Sequence, residues 1–252
     1  MASTAVQTVF NSRLSARTPR LVSGNFDFLC WVASTSLGTL PVEALRELES
    51  IASIETYQGG SVLFLEQERL NRVFVVVDGD VRLSLQEAGG RRLTLRIAKR
   101  GAVLGMHSAL YGGLSEWSAD TIYSSKIAVI TRDEFFRFAQ RHPDLYRIAA
   151  AELMTTLRHA CATLRIVGLT SCVRKRLATQ LLVWGERGQK SGDRTEFCMA
   201  LTHAQIAEFI GAVRETVTRA LTRFKECGLV EIRGCMLTIP STKALRKYVE
   251  RD

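Results

Sequence analysis

Nowhere in its 252 residues does the sequence hold a run of about 18 uncharged apolar residues, the least that spans a bilayer as a helix, so no membrane segment is expected. Residues 1–37 lack a continuous apolar stretch followed by a small-residue cleavage site, and they read as a loose, non-secretory N-terminal extension. No two of the six cysteines (Cys30, Cys161, Cys172, Cys198, Cys227, Cys235) stand at the two-residue spacing of zinc or redox motifs. That pattern fits a reduced, cytoplasmic setting in which most of them pack as small hydrophobes. Only Cys30 precedes residue 160, which leaves too few thiolates to converge on an iron–sulfur cluster in the first half. Paired carboxylates, a Ser-His-Asp set and a phosphate-binding loop are also missing, so the expected role is binding, without catalysis.

The formal charge is +9, and it is unevenly placed. Residues 38–141 hold 13 basic and 13 acidic side chains, whereas residues 170–252 hold 15 and 9. The cationic excess therefore lies in the C-terminal third, where an acidic polymer such as double-stranded DNA would be held by charge and counterion release.

The periodicity changes twice along the chain. After Pro41, residues 42–54 carry Leu45, Leu48, Ile51 and Ile54 at helical spacing and predict a short amphipathic helix. From Tyr57 to Ile130, short β-branched runs alternate with glycines. They predict strands at 61–65, 73–77, 81–85, 93–97, 102–104, 118–122 and 126–130, in an antiparallel sandwich or roll. Asp78-Gly79-Asp80 and Ala88-Gly89-Gly90 are read as hairpin turns. After Thr131 the period returns to that of a helix, over 133–141 and then over a long segment from Asp144 to Val167. There Tyr146, Ala150, Leu153, Leu157, Ala160, Leu164 and Val167 step by fours and threes, the seam of a coiled coil. Gly168 is expected to close that helix, with a hinge at 168–170. A further helix over 171–184 leads into a loop at 185–193.

The most specific stretch is Leu201–Phe224, L-T-H-A-Q-I-A-E-F-I-G-A-V-R-E-T-V-T-R-A-L-T-R-F. Thr202 suits an N-cap, Ile206, Phe209 and Ile210 form one buried face, and Gly211 breaks the helix. A second helix starts near Val213 and is expected to bury Val213, Val217, Leu221 and Phe224. Two short helices about a glycine turn predict a helix-turn-helix, whose second helix enters the major groove. Its open face presents Arg214, Glu215, Thr218 and Arg219. Arginine forks onto guanine, glutamate accepts from cytosine, and threonine hydroxyls hold phosphates. Residues 228–239 alternate like a two-stranded wing, with Arg233 near the tip and facing the sugar-phosphate backbone.

The segment I-G-A-V-R-E-T-V-T-R-A-L closely resembles the recognition element of cyclic AMP receptor/FNR (Crp/Fnr) regulators, roughly I-G-x-S-R-E-T-V-x-R-x-L. The likeness runs from near Tyr57 to the end, through G-G-S-V-L-F-L-E and V-F-V-V-V-D-G-D-V-R-L-S. It departs at Val213, where serine is usual, and at Gln67, where a turn glycine is common. The resemblance implies an α+β protein with an antiparallel cupin-like β-roll, a long dimerisation helix and a winged helix-turn-helix. The expected boundaries are an extension over 1–37, a cyclic-nucleotide-binding-like roll over 38–142, the dimerisation helix over 143–168 and the DNA-binding domain over 169–252. It implies a homodimer meeting through Leu153, Leu157, Ala160 and Leu164, and RNA polymerase as a partner if the protein activates. Arg214, Glu215 and Arg219 become base readers and Thr216 a phosphate brace, with Thr202 also counted among the DNA contacts.

In this family a cyclic nucleotide is held by a cassette that opens with Gly-Glu-Leu and ends with Arg-Ser/Thr-Ala. Here Met106 stands in place of the glutamate and Trp117 in place of the arginine. Cyclic AMP is therefore not the expected effector, and Met106, His107, Ser108, Trp117 and Ser118 are expected to line a pocket for an unidentified small molecule. Met106-His107-Ser108 also resembles the segment that carries the haem-ligating histidine in a gas-sensing branch of the family, although the companion cysteine is replaced by Gly105. The alternative left open is thus a haem- or thiol-based gas or redox sensor on the same scaffold, through His107 or a cysteine such as Cys161.

Overall fold

A computed structural model of the protein describes residues 20–21, 32, 35–170 and 172–250. They divide into two compact units, one of Met1–Arg91 with Leu95–Arg158 and one of Arg92–Thr94 with His159–Asp252. Most of the expected N-terminal extension, with Cys30, lies outside the described residues. Of that extension, Arg20–Leu21 form an edge strand (β1), registered Arg20 to Thr56 and Leu21 to Glu55.

In the first unit, helix α1 (Val42–Ile51) is followed by strands β2 (Ser53–Tyr57), β3 (Val62–Phe64), β4 (Arg72–Asp78), β5 (Val81–Gln86), β6 (Arg92–Ala98) and β7 (Val103–Leu104). A six-residue helix, α2 (Met106–Tyr111), precedes β8 (Ser118–Thr121), β9 (Ser125–Thr131), α3 (Arg132–Arg141) and the long α4 (Asp144–Leu169), which belongs to this unit as far as Arg158. The strands make two antiparallel sheets, ordered β1-β2-β9-β4-β7 and β3-β8-β5-β6. Strand β4 lies inside the first sheet and is buried on both faces, which is why Val73–Val77 reads as an unbroken apolar run. Val73, Val75 and Val77 join a core with α1, α3 and the start of α4, while Phe74 and Val76 face Phe64, Leu83 and Ala119 of the other sheet.

Three expectations are corrected here. Ile54 belongs to β2, because the helix ends at Ile51 and Ala52 is already extended (φ −95°, ψ 133°). Asp78-Gly79-Asp80 does not close a hairpin: both neighbours of β4 are other strands, and the turn carries the chain across to the second sheet. Gly79 has φ +94°, and a Cβ there would stand 2.2 Å from the Ser125 hydroxyl, so no side chain fits. By contrast, residues 88–90 do join two paired strands, β5 and β6. Gly168 is helical, because α4 continues to Leu169, and it is no left-handed cap.

The start of α4 turns Leu145, Ile148 and Ala149 into the core of the first unit. Its other face, with Tyr146, Leu153, Met154, Leu157 and Leu164, is exposed. Of the remaining seam positions, Ala150 is exposed, and Ala160 and Val167 are half-buried.

In the second unit, α5 (Val173–Gly185) leads to a hairpin of β10 (Gln189–Ser191) and β11 (Arg194–Cys198), which replaces the expected loop. All three β10 residues are exposed, so no apolar alternation marks the strand in the sequence. Helices α6 (His203–Ile210) and α7 (Arg214–Glu226) follow, then β12 (Glu231–Arg233), β13 (Met236–Ile239) and a further helix, α8 (Thr242–Glu250). The two-stranded wing is the outer half of a four-stranded antiparallel sheet, ordered β10-β11-β13-β12. α8 docks by the fully buried Leu245 and an edge-to-face contact of Tyr248 with Phe224, ring centroids 5.3 Å apart.

Candidate nucleic-acid interface and ligand pocket

The pair α6–α7 is fixed by local chemistry at each end. Thr202 caps α6: its hydroxyl accepts from the Gln205 N–H (3.2 Å), and the Gln205 side chain accepts from the Thr202 N–H (2.8 Å), a reciprocal capping box. Gly211 ends α6 in the left-handed region at φ +59°. Arg176 of α5 donates from Nε to the Thr170 carbonyl (2.5 Å) and from Nη1 towards the Ile210 carbonyl (3.4 Å), so a cation answers carbonyls left without partners at the end of α6. Sequence inspection missed this residue. Phe209 meets Trp184 edge-to-face at 5.2 Å, which seats α6 on α5.

Helix α7 buries Val217, Ala220, Leu221 and Phe224. Val213 is not buried with them: it is the N-cap residue and 59% exposed, one step outside the helix, where the apolar stripe has not begun. Arg214, Glu215, Thr218 and Arg219 all lie on the exposed face. Among the described residues, neither the Arg214 nor the Glu215 side chain has a hydrogen-bond or ion-pair partner, so both are open to a ligand. Arg219 donates from Nη2 to the half-buried Thr216 hydroxyl (3.4 Å). Thr218 is more committed: its hydroxyl donates to the Arg214 carbonyl (3.1 Å) and lies 2.8 Å from His203 Nδ1, which ties α7 to α6. Arg233 is exposed at the wing tip, opposite Met236 and beside Gly234 at φ +58°.

The first unit contains a pocket between its second sheet, α2 and α4, to which Met106, His107, Ser108 and Trp117 contribute. Ser118 does not line it; it lies buried in β8, its hydroxyl accepting from the Glu66 N–H (2.9 Å). The pocket also receives groups that sequence inspection missed: Arg96 from β6, and Glu152 and Thr156 from α4. Arg96 was hidden by its place in an alternating strand, where a charged residue reads as facing water.

The cavity encloses about 30 Å³, room for about one water, against roughly 300–1,000 Å³ in pockets that hold drug-sized ligands. His107 Nε2 lies 3.0 Å from Glu116 Oε1, and the ring is about one-third exposed. With Nε2 turned to Glu116, the His107 ring does not offer that nitrogen to the pocket as a haem ligand would. Cys161 is exposed on α4. Cys172, at the N-cap of α5, has its thiol held below the ordinary range, first by hydrogen bonding from the Lys175 backbone N–H and then by Arg174.

Residues 175–248 match the Crp-like helix-turn-helix domain, and residues 54–142 match the cyclic nucleotide-binding domain. The nitrogen fixation regulation protein FixK of Bradyrhizobium diazoefficiens is 26% identical over 212 residues, 83% of this chain and 88% of that protein. A CRP-like cAMP-activated global transcriptional regulator of Mycobacterium tuberculosis is 28% identical over 189 residues, 75% and 84% of the two chains. Among solved structures, a CooA mutant from Carboxydothermus hydrogenoformans shares the fold, with a TM-score of 0.70 at 21% identity over 92% of this chain and 98% of that one. With a helix-turn-helix in one unit, a nucleotide-binding-type roll in the other, and transcription regulators rather than enzymes as relatives, the chain is a DNA-binding transcription regulator of the Crp/Fnr family.

Proposed function

We propose that the protein acts as a homodimer on a palindromic operator, reads it through α7, and is controlled by a small-molecule effector in the roll pocket. The carrying observation is the open face of α7: Arg214 and Glu215 stand unpartnered in its first turn, over a helix whose opposite face is fully packed. Arg214, Glu215 and Arg219 are assigned to base edges. Thr216 and Arg233 are assigned to the backbone, together with Thr202 at the exposed end of α6. Thr218 contributes mainly by holding α7 against His203. The dimer is assigned to the exposed seam of α4, through Leu153, Leu157, Ala160 and Leu164, which would set two recognition helices about 34 Å apart for one turn of DNA. RNA polymerase is the further partner if the protein activates, and the cytoplasm is the compartment these roles require; no helix among the described residues is long and apolar enough to cross a membrane.

The effector is assigned as something other than cyclic AMP. Met106 offers no acceptor to a ribose hydroxyl and Trp117 no charge at the cassette position that holds the cyclic phosphate, while the cation the pocket does contain, Arg96, stands on β6 and is paired with Glu152. The direct test is selection from random duplexes followed by binding of Arg214→Ala. A palindrome is expected, with affinity for it falling by about 1–3 kcal/mol in the variant while non-specific binding falls less. Recovery of no palindrome, or an unchanged preference in the variant, would remove the assignment.

A further inference from the structure

Resting on the reading of the roll as a sensor, we infer that its pocket takes a compact organic anion, held by Arg96 in exchange for Glu152. Arg96 is 6% exposed, so its guanidinium is almost wholly withdrawn from water. Such a group carries five N–H donors. Its ion pair is a single long contact, Nη2 to Glu152 Oε2 at 3.3 Å, and its Nε is buried with no acceptor at all. A buried cation donor without an acceptor is costly, more so than a neutral one. A carboxylate or phosphate entering the pocket would accept from Nε and Nη2 together, the side-on bidentate geometry for which guanidinium is shaped.

The rest of the lining selects the body of the ligand. Phe64, Leu83, Leu104, Met106, Trp117 and Leu153 are apolar, while Ser108 and Thr156 add hydroxyls. The anion should therefore carry a small ring or branched hydrocarbon, and with about 30 Å³ open it must displace side chains to enter. Half-buried Trp117 is the large side chain best placed to move. The position of Glu152 gives the exchange a consequence. It sits on α4, one residue before the seam leucine Leu153, so an anion that takes Arg96 frees a carboxylate on the helix proposed to pair with its partner.

Calorimetry on the full-length protein with benzoate and phenyl phosphate tests this, with benzamide as the neutral control. Saturable binding of at least one anion is expected, with benzamide about 10- to 100-fold weaker. Which anion binds separates carboxylate from phosphate recognition. Arg96→Gln should abolish binding. Glu152→Gln should strengthen it several-fold, because the competing carboxylate is gone; an ion pair with a purely structural role would instead lose affinity in both variants. Should Arg96→Gln fail to fold, the benzamide comparison and Glu152→Gln still decide. No binding of either anion, equal affinity for benzamide, retained binding in folded Arg96→Gln, or weaker binding in Glu152→Gln each overturns the inference. Operator binding measured on the same ligand-free samples reports separately on the DNA-binding reading.

Discussion

Leu157 and Leu164 are the most exposed of the proposed interface leucines, at 54% and 63%, on a helix whose opposite face is already buried. Replacing both with alanine should therefore weaken dimerisation while sparing each chain's own core. Full burial of a leucine contributes about 1.5–3 kcal/mol, so the half or more still open on each is worth roughly 1–2 kcal/mol. A two-fold interface counts each position twice, and alanine keeps part of the contact, which leaves an expected loss of about 3–5 kcal/mol per dimer. At about 1.4 kcal/mol per decade, that raises the dissociation constant by roughly 10²- to 10⁴-fold. Sedimentation velocity over a concentration series is the assay. The unmodified protein should sediment as a dimer at micromolar concentration, and the double variant as the 28.1 kDa chain with unchanged helical content. Operator affinity should fall with it, since each half-site would then be bound alone. A wild-type monomer at micromolar concentration, or a variant with unaltered association, refutes the assignment of this face.

Among the described residues, Gln67 is the non-glycine residue held at positive φ, +63°, in a turn where its N–H donates to the Ser115 carbonyl (2.7 Å). Gln67→Gly should raise stability by about 0.5–1 kcal/mol in urea unfolding, the relief of left-handed strain exceeding the extra chain entropy; a loss of stability contradicts the strain. Asp193 accepts from the Ser241 and Thr242 hydroxyls at the start of α8, and these hydrogen bonds hold its carboxyl below the usual range. Its contribution should be complete above the ordinary carboxylate range and lost as the pH falls through the lowered value, so Asp193→Asn should flatten the acid limb of the thermal-stability profile. Cys172 should react with iodoacetamide through a thiolate that forms below the ordinary thiol range, and Cys172→Ser should remove that low-pH component from the pH–rate curve; an unchanged curve in the variant would disprove it.

The helix-turn-helix was legible because every signal in it is local. The Thr202–Gln205 capping box, the break at Gly211 and the stripe Val217, Leu221, Phe224 all fall within a few turns of chain, and the structure places each as the spacing requires. Val213 was misjudged by one position, since periodicity alone does not tell an N-cap from the first buried residue. Strand β10 and helix α8 escaped notice for the opposite reason. One is wholly exposed, the other has a single fully buried side chain, and both depend on neighbours distant in sequence.

Taken alone, the sequence determined the α+β organisation, the basic C-terminal third and the identity of the exposed residues on α7, because helical and strand periods and charge are properties of adjacent residues. Only the tertiary structure decided which sheet each strand joins, that Asp78-Gly79-Asp80 crosses between sheets, and that Arg96 lies buried beside Glu152 of α4. Those two side chains are 56 residues apart. Strand alternation assigns each residue to a face, but whether that face meets water or a distant helix is set by packing that no local pattern records.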